Sequence, residues 1–447
     1  MSAQDMGAPT GARYCALRVL DACRKNGAWA DAALAAELKR AALNTADAAL
    51  ASRIVYGVVQ RRMLLDYYLG AYCTQRLDHL QQPLPDILRI GAYQILFLDK
   101  VPDSAAVNES VELAKASKRG AAAGLVNAVL RKLAKSKNAL PSLPKDGMER
   151  LSIAASHPRW LTERMAELLG TEGAEEFLNG NNEIAPLTVQ ANPLKTGAEA
   201  LLRELMGAGI EARMHPWAAD CLELSGVGDL TTLPAFYRGE FTVQDAAARL
   251  VTSVAGIEPG MRVLDVCAAP GGKSFSAAFA MRNDGMVIAC DLHENKLKRI
   301  REGAARLGVT CIQTETADGR VFRAEWAGAF DAVLCDVPCS GLGIIRKKPD
   351  IRYKDPAALA GLPEIQLEIL ANASRYVKPG GVLTYSTCTV LPEENESVTD
   401  AFLQANSAFS YEAFTLPTGG AASGHVTLWP HRDGTDGFYI ARLRRRA

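Results

Sequence analysis

Apolar residues recur at every third or fourth position through most of the first third of the chain, over residues 13–137. This spacing places them on one face of a helix, as in the apolar run at residues 54–59. Prolines at positions 83, 85 and 102 separate the helical stretches. The pattern predicts an all-α bundle over residues 1–140.

A stretch rich in proline and short polar residues follows at 138–147 and is typical of an interdomain linker. Beyond it, the periodicity changes between the helical and the strand type several times within a short segment. It predicts a helix at 158–170, a strand at 187–191, a helix at 198–207 and a strand at 210–215. We interpret residues 150–235 as a small α/β segment.

From about Phe236 the alternation of strands and helices becomes regular. Strands are predicted at residues 262–266, 285–290, 310–314, 330–335 and 381–385, with helices such as 274–280, 294–307 and 364–377 between them. Such an alternation is typical of a parallel, doubly wound sheet, whose ligands bind at the carboxyl ends of the strands. The chain is therefore predicted to be multidomain, with a doubly wound α/β domain over residues 236–447.

Formal net charge is zero over the 447 residues, but the charge is unevenly distributed. Residues 1–140 contain 19 Lys and Arg against 12 Asp and Glu, a surplus of +7, which the rest of the chain balances. A surplus of this size is typical of a solvated surface and equally suits contact with a polyanion. The amino-terminal bundle is the part of the chain suited to nucleic acid.

A membrane-spanning helix needs about eighteen consecutive apolar residues, and no stretch of the sequence approaches this length. The polar start MSAQDMGAPTGA lacks the apolar core of a signal peptide. We expect a cytoplasmic protein without membrane contact. Ten cysteines without CxxC pairs indicate reduced thiols. No histidine or second cysteine pair accompanies Cys335 and Cys339 at zinc spacing, so no metal site is expected.

Residues suited to a nucleoside cofactor follow four successive predicted strands. A turn with paired glycines comes first, and an aspartate follows at the end of each of the next three strands. Glycines let the backbone approach a ligand closely, and a carboxylate about twenty residues later can accept ribose hydroxyls. The glycine spacing is not that of a nicotinamide dinucleotide site, so S-adenosylmethionine is the preferred cofactor. The candidate residues are Cys267, Ala268, Ala269, Pro270, Gly271, Gly272, Lys273, Asp291, Asp318 and Asp336.

Two further cysteines each follow a predicted strand, Cys339 in DVPCS and Cys388 in STCT. Neighbouring strands lie roughly 5 Å apart, so both thiols can reach one substrate atom if their strands are adjacent. A thiolate is the nucleophile that suits a ring carbon such as C6 of cytosine, because the resulting enamine makes C5 able to accept a methyl group. Asp336 is a candidate to hold the pyrimidine ring.

Cations follow the first of these cysteines in RKKPDIR. Such a run is usually solvated, but beside a reaction site it suggests contact with the phosphates of a polynucleotide. We therefore expect Arg346, Lys347, Arg352 and Lys273 to contact RNA.

The segments DVCAAPGGKS, FDAVLCDVPCSGLG, PDIR and TYSTCTVLPEENE together resemble the RNA cytosine-C5 methyltransferases of the Sun/Nop family, of the RsmB type. Residues 1–140, with RIVYGVV, RIGAYQIL and GLVNAVLR, resemble the NusB-type RNA-binding bundle that precedes the bacterial 16S rRNA members. The resemblance covers nearly the whole chain. It implies that the small α/β segment also binds RNA.

This resemblance implies that Cys388 is the nucleophile and that Cys339 assists its release. It implies S-adenosylmethionine as cofactor and 16S rRNA as partner, with a cytosine in the helix 31 loop as target. We also expect a monomer that acts on free rRNA or on a partly assembled small subunit. Gln244 and Asp245 match a VQD segment expected at the RNA. One departure is Gln190, where relatives commonly carry an arginine that contacts the RNA backbone.

Three alternatives stay open at this point. The same chemistry could act on tRNA or 23S rRNA. The chain could be an RNA-binding assembly or antitermination factor without activity, although the retained thiols and cofactor residues argue against this. A DNA methyltransferase would use the proline-cysteine thiol, here Cys339, as its nucleophile, so DNA is not the expected substrate.

Overall fold

The computed structural model describes residues 11–447, so the polar start lies outside the described residues except for Gly11 and Ala12. The chain divides into two compact units. The helical unit contains the residues up to Glu183 together with Lys347–Lys354, and the sheet unit contains Ile184–Arg346 and Asp355–Ala447. Contacts therefore group the chain differently from the predicted segments 1–140, 150–235 and 236–447, and that three-part division stays a prediction.

The helical unit is built almost entirely from α-helices, as the periodicity predicts. Their bounds are α1 (Ala12–Asn26), α2 (Ala30–Ala41), α3 (Thr45–Gly70), α4 (Leu84–Phe97), α5 (Asp103–Ala116), α6 (Ala123–Lys135), α7 (Gly147–Ala155) and α8 (Arg159–Gly180). Short 3₁₀ helices occur at Leu77–His79, Gly120–Ala122 and Pro349–Tyr353. Between residues 11 and 447, no helix is long and apolar enough to cross a membrane.

Close packing of α3 against α4 explains a glycine in the middle of a long helix. A Cβ atom at Gly57 would lie 1.9 Å from the ring of Tyr93, so only glycine fits there. Ile54, Val58 and Leu65 on α3 are all buried in the core of this unit. The apolar stripe of α3 therefore faces the other helices, as its spacing requires.

In the sheet unit, a small antiparallel sheet comes first. Its strands are β1 (Leu187–Ala191), β2 (Glu211–Met214), β3 (Cys221–Ser225) and β4 (Phe241–Val243), in the order β2-β3-β1-β4, with helices α9 (Ala198–Gly207) and α10 (Pro234–Tyr237). The two strands and the helix predicted at 187–215 are confirmed. Strands β3 and β4 were not predicted.

A large mixed sheet forms the rest of this unit, with the strand order β10-β14-β9-β8-β5-β6-β7 and β13 paired with β14. The strands are β5 (Arg262–Asp265), β6 (Met286–Asp291), β7 (Ile312–Thr316), β8 (Phe330–Asp336), β9 (Val377–Thr387), β10 (Phe409–Tyr411), β13 (His425–Leu428) and β14 (Phe438–Arg445), while β11 (Phe414–Thr415) and β12 (Ala421–Ala422) form a separate pair.

Helices α11 (Ala246–Ala255), α12 (Gly272–Ala280), α13 (Glu294–Leu307), α14 (Leu362–Ser374), α15 (Glu396–Ala405) and α16 (Pro430–Asp433) accompany the sheet, with 3₁₀ turns at Leu230–Thr232, Ala324–Trp326, Pro356–Ala358 and Pro392–Glu394. Strands β5 to β9 are parallel, as predicted. Strand β14 extends this sheet antiparallel to β9, and β10 and β13 each pair antiparallel with β14, so the sheet is mixed at one edge.

Two boundaries show why the sequence pattern misplaced an element end. Strand β9 begins at Val377 rather than at residue 381, because Pro379 and the glycines after it are accommodated by a register shift opposite Phe330 and Ala332. The helix predicted to end at residue 170 does break there, since Gly170 adopts φ +73° and ψ 170°, but the chain then continues in helical form to Gly180. The sequence pattern thus predicts the local interruptions at proline and glycine, but not that the strand or helix extends beyond them.

Candidate active site

Four parallel strands bring the predicted cofactor residues to one edge of the sheet. The order β8-β5-β6-β7 makes these strands neighbours, so their carboxyl ends lie side by side. Asp336 is the last residue of β8, Asp291 is the last of β6, and Asp318 is the second residue after β7. The predicted juxtaposition of the glycine turn with these acids is therefore confirmed, whereas their roles stay a prediction.

The glycine turn connects β5 to α12. Gly271 adopts φ +112°, a left-handed conformation, and a Cβ atom there would lie 2.8 Å from the ring of Phe275. The peptide N–H of Ala268 donates to the carbonyl of Cys290 at 2.7 Å, which ties the turn to the neighbouring strand β6. Because α12 begins at Gly272, its first N–H groups face the region beyond the strand ends.

Asp265 was not among the predicted site residues. It is fully buried at the end of β5, where Ser274 donates a hydrogen bond to its Oδ2 atom at 2.7 Å. Burial raises the pKa of Asp265 to about 7, although the Ser274 hydrogen bond opposes this shift. Its Oδ1 atom is buried without a hydrogen-bond partner in the described part of the chain. The only sequence signal was its position as the last residue of an apolar strand before the glycine turn.

Asp291 is largely buried, and its Oδ1 atom accepts the N–H of His293 at 3.0 Å and lies 3.3 Å from Lys296. The next residue, Leu292, is 53% exposed and offers an apolar surface beside a carboxylate, a combination that the sequence analysis missed. Asp318 pairs with Arg320, and hydrogen bonds from this arginine lower the pKa of Asp318.

The two thiols lie together. Cys339 and Cys388 are separated by 49 residues in sequence, yet their Sγ atoms are 3.3 Å apart. Their strands β8 and β9 are neighbours, with Asp336 opposite Ser386 in the parallel register, as predicted. The hydrogen bond with Cys388 is the larger cause and burial the next, and together they raise the pKa of Cys339 well above its ordinary value. Cys339 therefore keeps its proton at neutral pH.

Hydrogen bonds join the loops that carry the two thiols. The N–H of Gly343 donates to the carbonyl of Cys388 at 3.0 Å, and the hydroxyls of Ser340 and Thr389 are 2.7 Å apart. A Cβ atom on Gly343 would lie 2.0 Å from the carbonyl oxygen of Gly437, so this position requires glycine. The separation of the two sulfur atoms is thus fixed by backbone contacts.

Asp336 connects the cofactor edge to the thiols. Its Oδ2 atom accepts a hydrogen bond from Lys273 at 2.7 Å, and its Oδ1 atom accepts one from Ser386, also at 2.7 Å. The Lys273 ammonium lies 5.0 Å from the centre of the Phe438 ring. These contacts orient the carboxylate and place a cation from the glycine turn beside it.

Two of the residues predicted to contact RNA have buried side chains, so their contact with RNA stays a prediction. Arg352 is 0% exposed and donates to the carbonyl of Gln60 and the side-chain oxygen of Asn182 within the helical unit. Arg346, 8% exposed, donates to the carbonyl of Thr435 within the sheet unit. A guanidinium satisfies several carbonyls at once, which explains why arginines occupy these interior positions. The RNA contact of Lys347, which is partly exposed, stays a prediction.

The VQD segment is also interior. Gln244 is 6% exposed and accepts a hydrogen bond from Ser276 of α12 at 2.6 Å, so its side chain lies in the interior and its RNA contact stays a prediction. Asp245 caps α11 by accepting the N–H of Ala247 at 2.9 Å, and its RNA contact stays a prediction. Gln190 is buried and donates a hydrogen bond to Asp220, so its side chain lies in the interior.

A doubly wound sheet with a glycine turn, strand-end carboxylates and a thiol pair at adjacent strand ends defines a methyltransferase of the nucleoside-cofactor class. Family models agree with this class. The model described as 16S rRNA methyltransferase RsmB/F matches residues 254–444, that of the NusB family matches residues 10–135, and that of the RsmF/B-like ferredoxin-like domain matches residues 157–231.

Relatives extend the match over nearly the whole chain. A probable ribosomal RNA small subunit methyltransferase B of Bacillus subtilis is 36% identical over 98% of this chain and 99% of that protein. The ribosomal RNA small subunit methyltransferase B of Erwinia tasmaniensis is 34% identical over 89% of this chain and 90% of that protein. The chain belongs to this family of methyltransferases.

Solved structures agree. The crystal structure of PH0851 has a TM-score of 0.83, with 26% identity over 97% of this chain and 98% of that chain. A methyltransferase homolog protein from Pyrococcus horikoshii has a TM-score of 0.57, with 27% identity over 68% of this chain and all of that chain. The predicted fold class, a NusB-like helical bundle, a small α/β segment and a Rossmann-like domain, is confirmed, and the family model describes the small segment as ferredoxin-like.

The methyl donor of this family is S-adenosylmethionine, and that prediction is confirmed. The described residues fit such a group. Asp265 leaves a buried oxygen atom without a partner at the glycine turn, and Asp291 and Leu292 combine a carboxylate with an exposed apolar side chain at the next strand end. A charged amino acid group, a ribose and a purine require donor and acceptor types of this kind.

Proposed function

We propose that the protein methylates carbon 5 of a cytosine in 16S rRNA, in the helix 31 loop, through a transient bond between Cys388 and carbon 6. The sulfur–sulfur distance of 3.3 Å between Cys388 and Cys339 supports the chemical part of this proposal, and the match to 16S rRNA methyltransferases supports the substrate. A site that merely binds nucleic acid has no need of two thiols at adjacent strand ends. A reaction that forms and then breaks a carbon–sulfur bond uses both.

The first half of the reaction belongs to Cys388. Attack of its thiolate on carbon 6 forms the carbon–sulfur bond and moves the ring electrons to carbon 5, which becomes an enamine carbon. S-adenosylmethionine, when bound, supplies the methyl group that this carbon accepts. The chain orients the ring for this step through Asp336, whose carboxylate is held by Lys273 and Ser386 and can accept hydrogen bonds from the pyrimidine edge.

The second half needs Cys339. The proton on carbon 5 passes to a water molecule, its electrons re-form the carbon 5–carbon 6 double bond, and the sulfur of Cys388 departs from carbon 6 with the electron pair of the carbon–sulfur bond. A neutral thiol 3.3 Å away can donate its proton to the departing sulfur. The raised pKa of Cys339 keeps that proton available at neutral pH.

Residues at the strand ends are proposed to hold the donor. Asp291 is placed to accept the ribose hydroxyls and Asp318 to lie at the base, while the turn from Cys267 to Lys273 approaches the amino acid part. Leu292 is proposed to cover one face of the purine, because it is exposed and adjacent to Asp291. These roles follow from the positions of the residues at the edge of the sheet.

The test is incubation of the purified protein with 16S rRNA and labelled S-adenosylmethionine, followed by mass spectrometry of the RNA fragments. We expect one 5-methylcytosine in the helix 31 loop. Cys388→Ala should abolish both methyl transfer and adduct formation, whereas Cys339→Ala should accumulate an RNA–protein complex that survives denaturant. Cys311→Ser, a partly buried cysteine outside the site, is the matched control and should behave as the parent protein.

Adduct accumulation in the Cys388 variant instead of the Cys339 variant would reverse the assignment and favour the DNA-type mechanism. Methylation of tRNA or 23S rRNA alone would retain the chemistry and replace the substrate. Absence of transfer to any RNA, with RNA binding intact, would favour a binding factor without activity.

A further inference from the structure

Glu394, which no argument about the reaction has used so far, is buried beside the loop of Cys339. It is 2% exposed, in the 3₁₀ turn Pro392–Glu394 that follows the Cys388 loop. Its Oε2 atom accepts the backbone N–H of Ser340 at 2.8 Å. Ser340 is the residue immediately after Cys339, so this hydrogen bond fixes the peptide on one side of the thiol.

Gln366 of α14 fixes the peptide on the other side. Its Nε2 atom donates to the carbonyl of Pro338 at 3.0 Å and also to the same Oε2 atom of Glu394 at 2.8 Å. Gln366 and Ser340 are both 0% exposed. The backbone groups that flank Cys339 on both sides are therefore bound by one interior pair, Glu394 and Gln366.

The pair is itself anchored. The hydroxyl of Tyr385, on strand β9, donates to the backbone carbonyl of Glu394 at 2.5 Å. The side chain of the next residue, Asn395, donates to the carbonyl of Thr389 at 3.1 Å and accepts from Thr387, which lies just before Cys388. Glu394 and Asn395 thus contact the loops of both cysteines. A carboxyl group that only caps a turn would not be expected to take part in such a connection.

We propose that Glu394 and Gln366 act as a positioning clamp that holds Cys339 at hydrogen-bond distance from Cys388 while the carbon–sulfur bond breaks. This inference rests on the proposed function and adds two residues to it. Neither side chain touches the reacting atoms, so both act through Cys339. A buried carboxyl group that binds two N–H donors costs free energy to desolvate, and a structural turn alone does not require one.

The two oxygen atoms of Glu394 allow a sharp test. Both donors bind Oε2, and Oε1 is buried without a hydrogen-bond partner in the described chain. Glu394→Gln can therefore keep its carbonyl oxygen at the Oε2 position and preserve both hydrogen bonds. Glu394→Ala removes them. Glu393→Ala changes the neighbouring exposed carboxylate and is the matched control.

We expect Glu394→Ala to lower kcat by about 10- to 100-fold, because a misplaced group loses this much, with KM for RNA changed less than about twofold. Covalent RNA–protein complex should accumulate, as in Cys339→Ala. Glu394→Gln should recover most of the activity, Gln366→Ala should resemble Glu394→Ala, and Glu393→Ala should match the parent. In a Cys339→Ala background, Glu394→Ala should not increase the complex further, since both changes affect the same step.

The proposal is overturned if Glu394→Ala loses activity without accumulating complex, if its effect adds to that of Cys339→Ala, or if only KM for RNA rises. A folding defect would appear as a lower unfolding temperature in Glu394→Ala. In that case the test rests on Glu394→Gln, and full loss of turnover in a stable Glu394→Gln protein also overturns the clamp. If Cys339→Ala itself accumulates no complex, the proposed function fails, which is a separate outcome from failure of the clamp.

Discussion

Replacing Arg352 by methionine separates an internal anchor from an RNA ligand. The guanidinium of Arg352 donates to the carbonyls of Gln60, Ser156 and Asn181 at 3.0, 3.3 and 3.3 Å and to the side-chain oxygen of Asn182 at 2.8 Å. All of these groups belong to the helical unit. Methionine fills much of the same volume but offers no donor.

The expected loss follows from two opposing contributions. Each buried oxygen left without a donor costs about 1–3 kcal/mol. Removing the charge recovers part of this, because burial lowers the pKa of Arg352 to about 10, which corresponds to about 3 kcal/mol of unfavourable burial. The four acceptors named above together cost about 4–12 kcal/mol, and the recovered ~3 kcal/mol leaves a destabilisation of about 1–9 kcal/mol.

Because the chain contains two compact units, stability is best followed locally, by hydrogen exchange of peptides from α3 and α7 in increasing urea. RNA affinity is measured in parallel as a function of salt concentration. We expect faster hydrogen exchange in the helical unit and an unchanged salt dependence of RNA affinity. A lost phosphate contact would instead reduce the slope of log affinity against log salt concentration by about 1. Lys132→Met, an exposed cation of the same unit, is the stability control and should change the unfolding free energy by less than about 0.5 kcal/mol. Unchanged exchange together with a shallower salt slope would refute the reasoning and restore Arg352 as an RNA ligand.

Three further predictions concern the sheet unit. Burial raises the pKa of Asp265 to about 7, so the folded state keeps a proton that the unfolded state loses, and the free energy of unfolding falls as the pH rises from about 4 to about 7. Asp265→Asn removes this fall, so between these pH values the variant should gain up to about 4 kcal/mol of stability relative to the parent. Urea unfolding at both pH values measures this gain, and an equal gain at both would contradict the raised pKa. Asp291→Asn should weaken S-adenosylmethionine binding by about 1–3 kcal/mol, and calorimetry finding equal affinity would remove Asp291 from the site. Gly343→Ala should abolish methyl transfer, because a Cβ atom would lie 2.0 Å from the carbonyl oxygen of Gly437; a fully active variant would show that the loop tolerates displacement.

The local sequence pattern is sufficient to predict structural features that depend on residues close together in the sequence. Helical periodicity predicted the helical unit, and the alternation of strands and helices predicted β5 to β9. Because parallel strands end at one edge of a sheet, the positions of Asp291, Asp336 and Cys388 at strand ends were enough to predict that they meet. This rule predicts that the two thiols lie near each other, whereas their separation of 3.3 Å is set by the contacts between the two loops.

Burial of polar side chains was not predictable in the same way. The run containing Arg346 and Arg352 has the composition of a solvated segment, yet both guanidinium groups are interior, and Gln244 is interior as well. Whether a charged side chain faces water depends on which distant element packs over it, and neither periodicity nor composition contains that information.

The sequence alone therefore determined the order of the elements, the cofactor turn and the pairing of two distant cysteines, since each follows from local periodicity and from the geometry common to all parallel sheets. Only the tertiary structure decided that Arg352 is an internal anchor, that Asp265 is a buried acid, and that Glu394 and Gln366 bind the peptides on either side of Cys339. These depend on contacts between residues far apart in the chain, where the identity of a side chain does not reveal its partner.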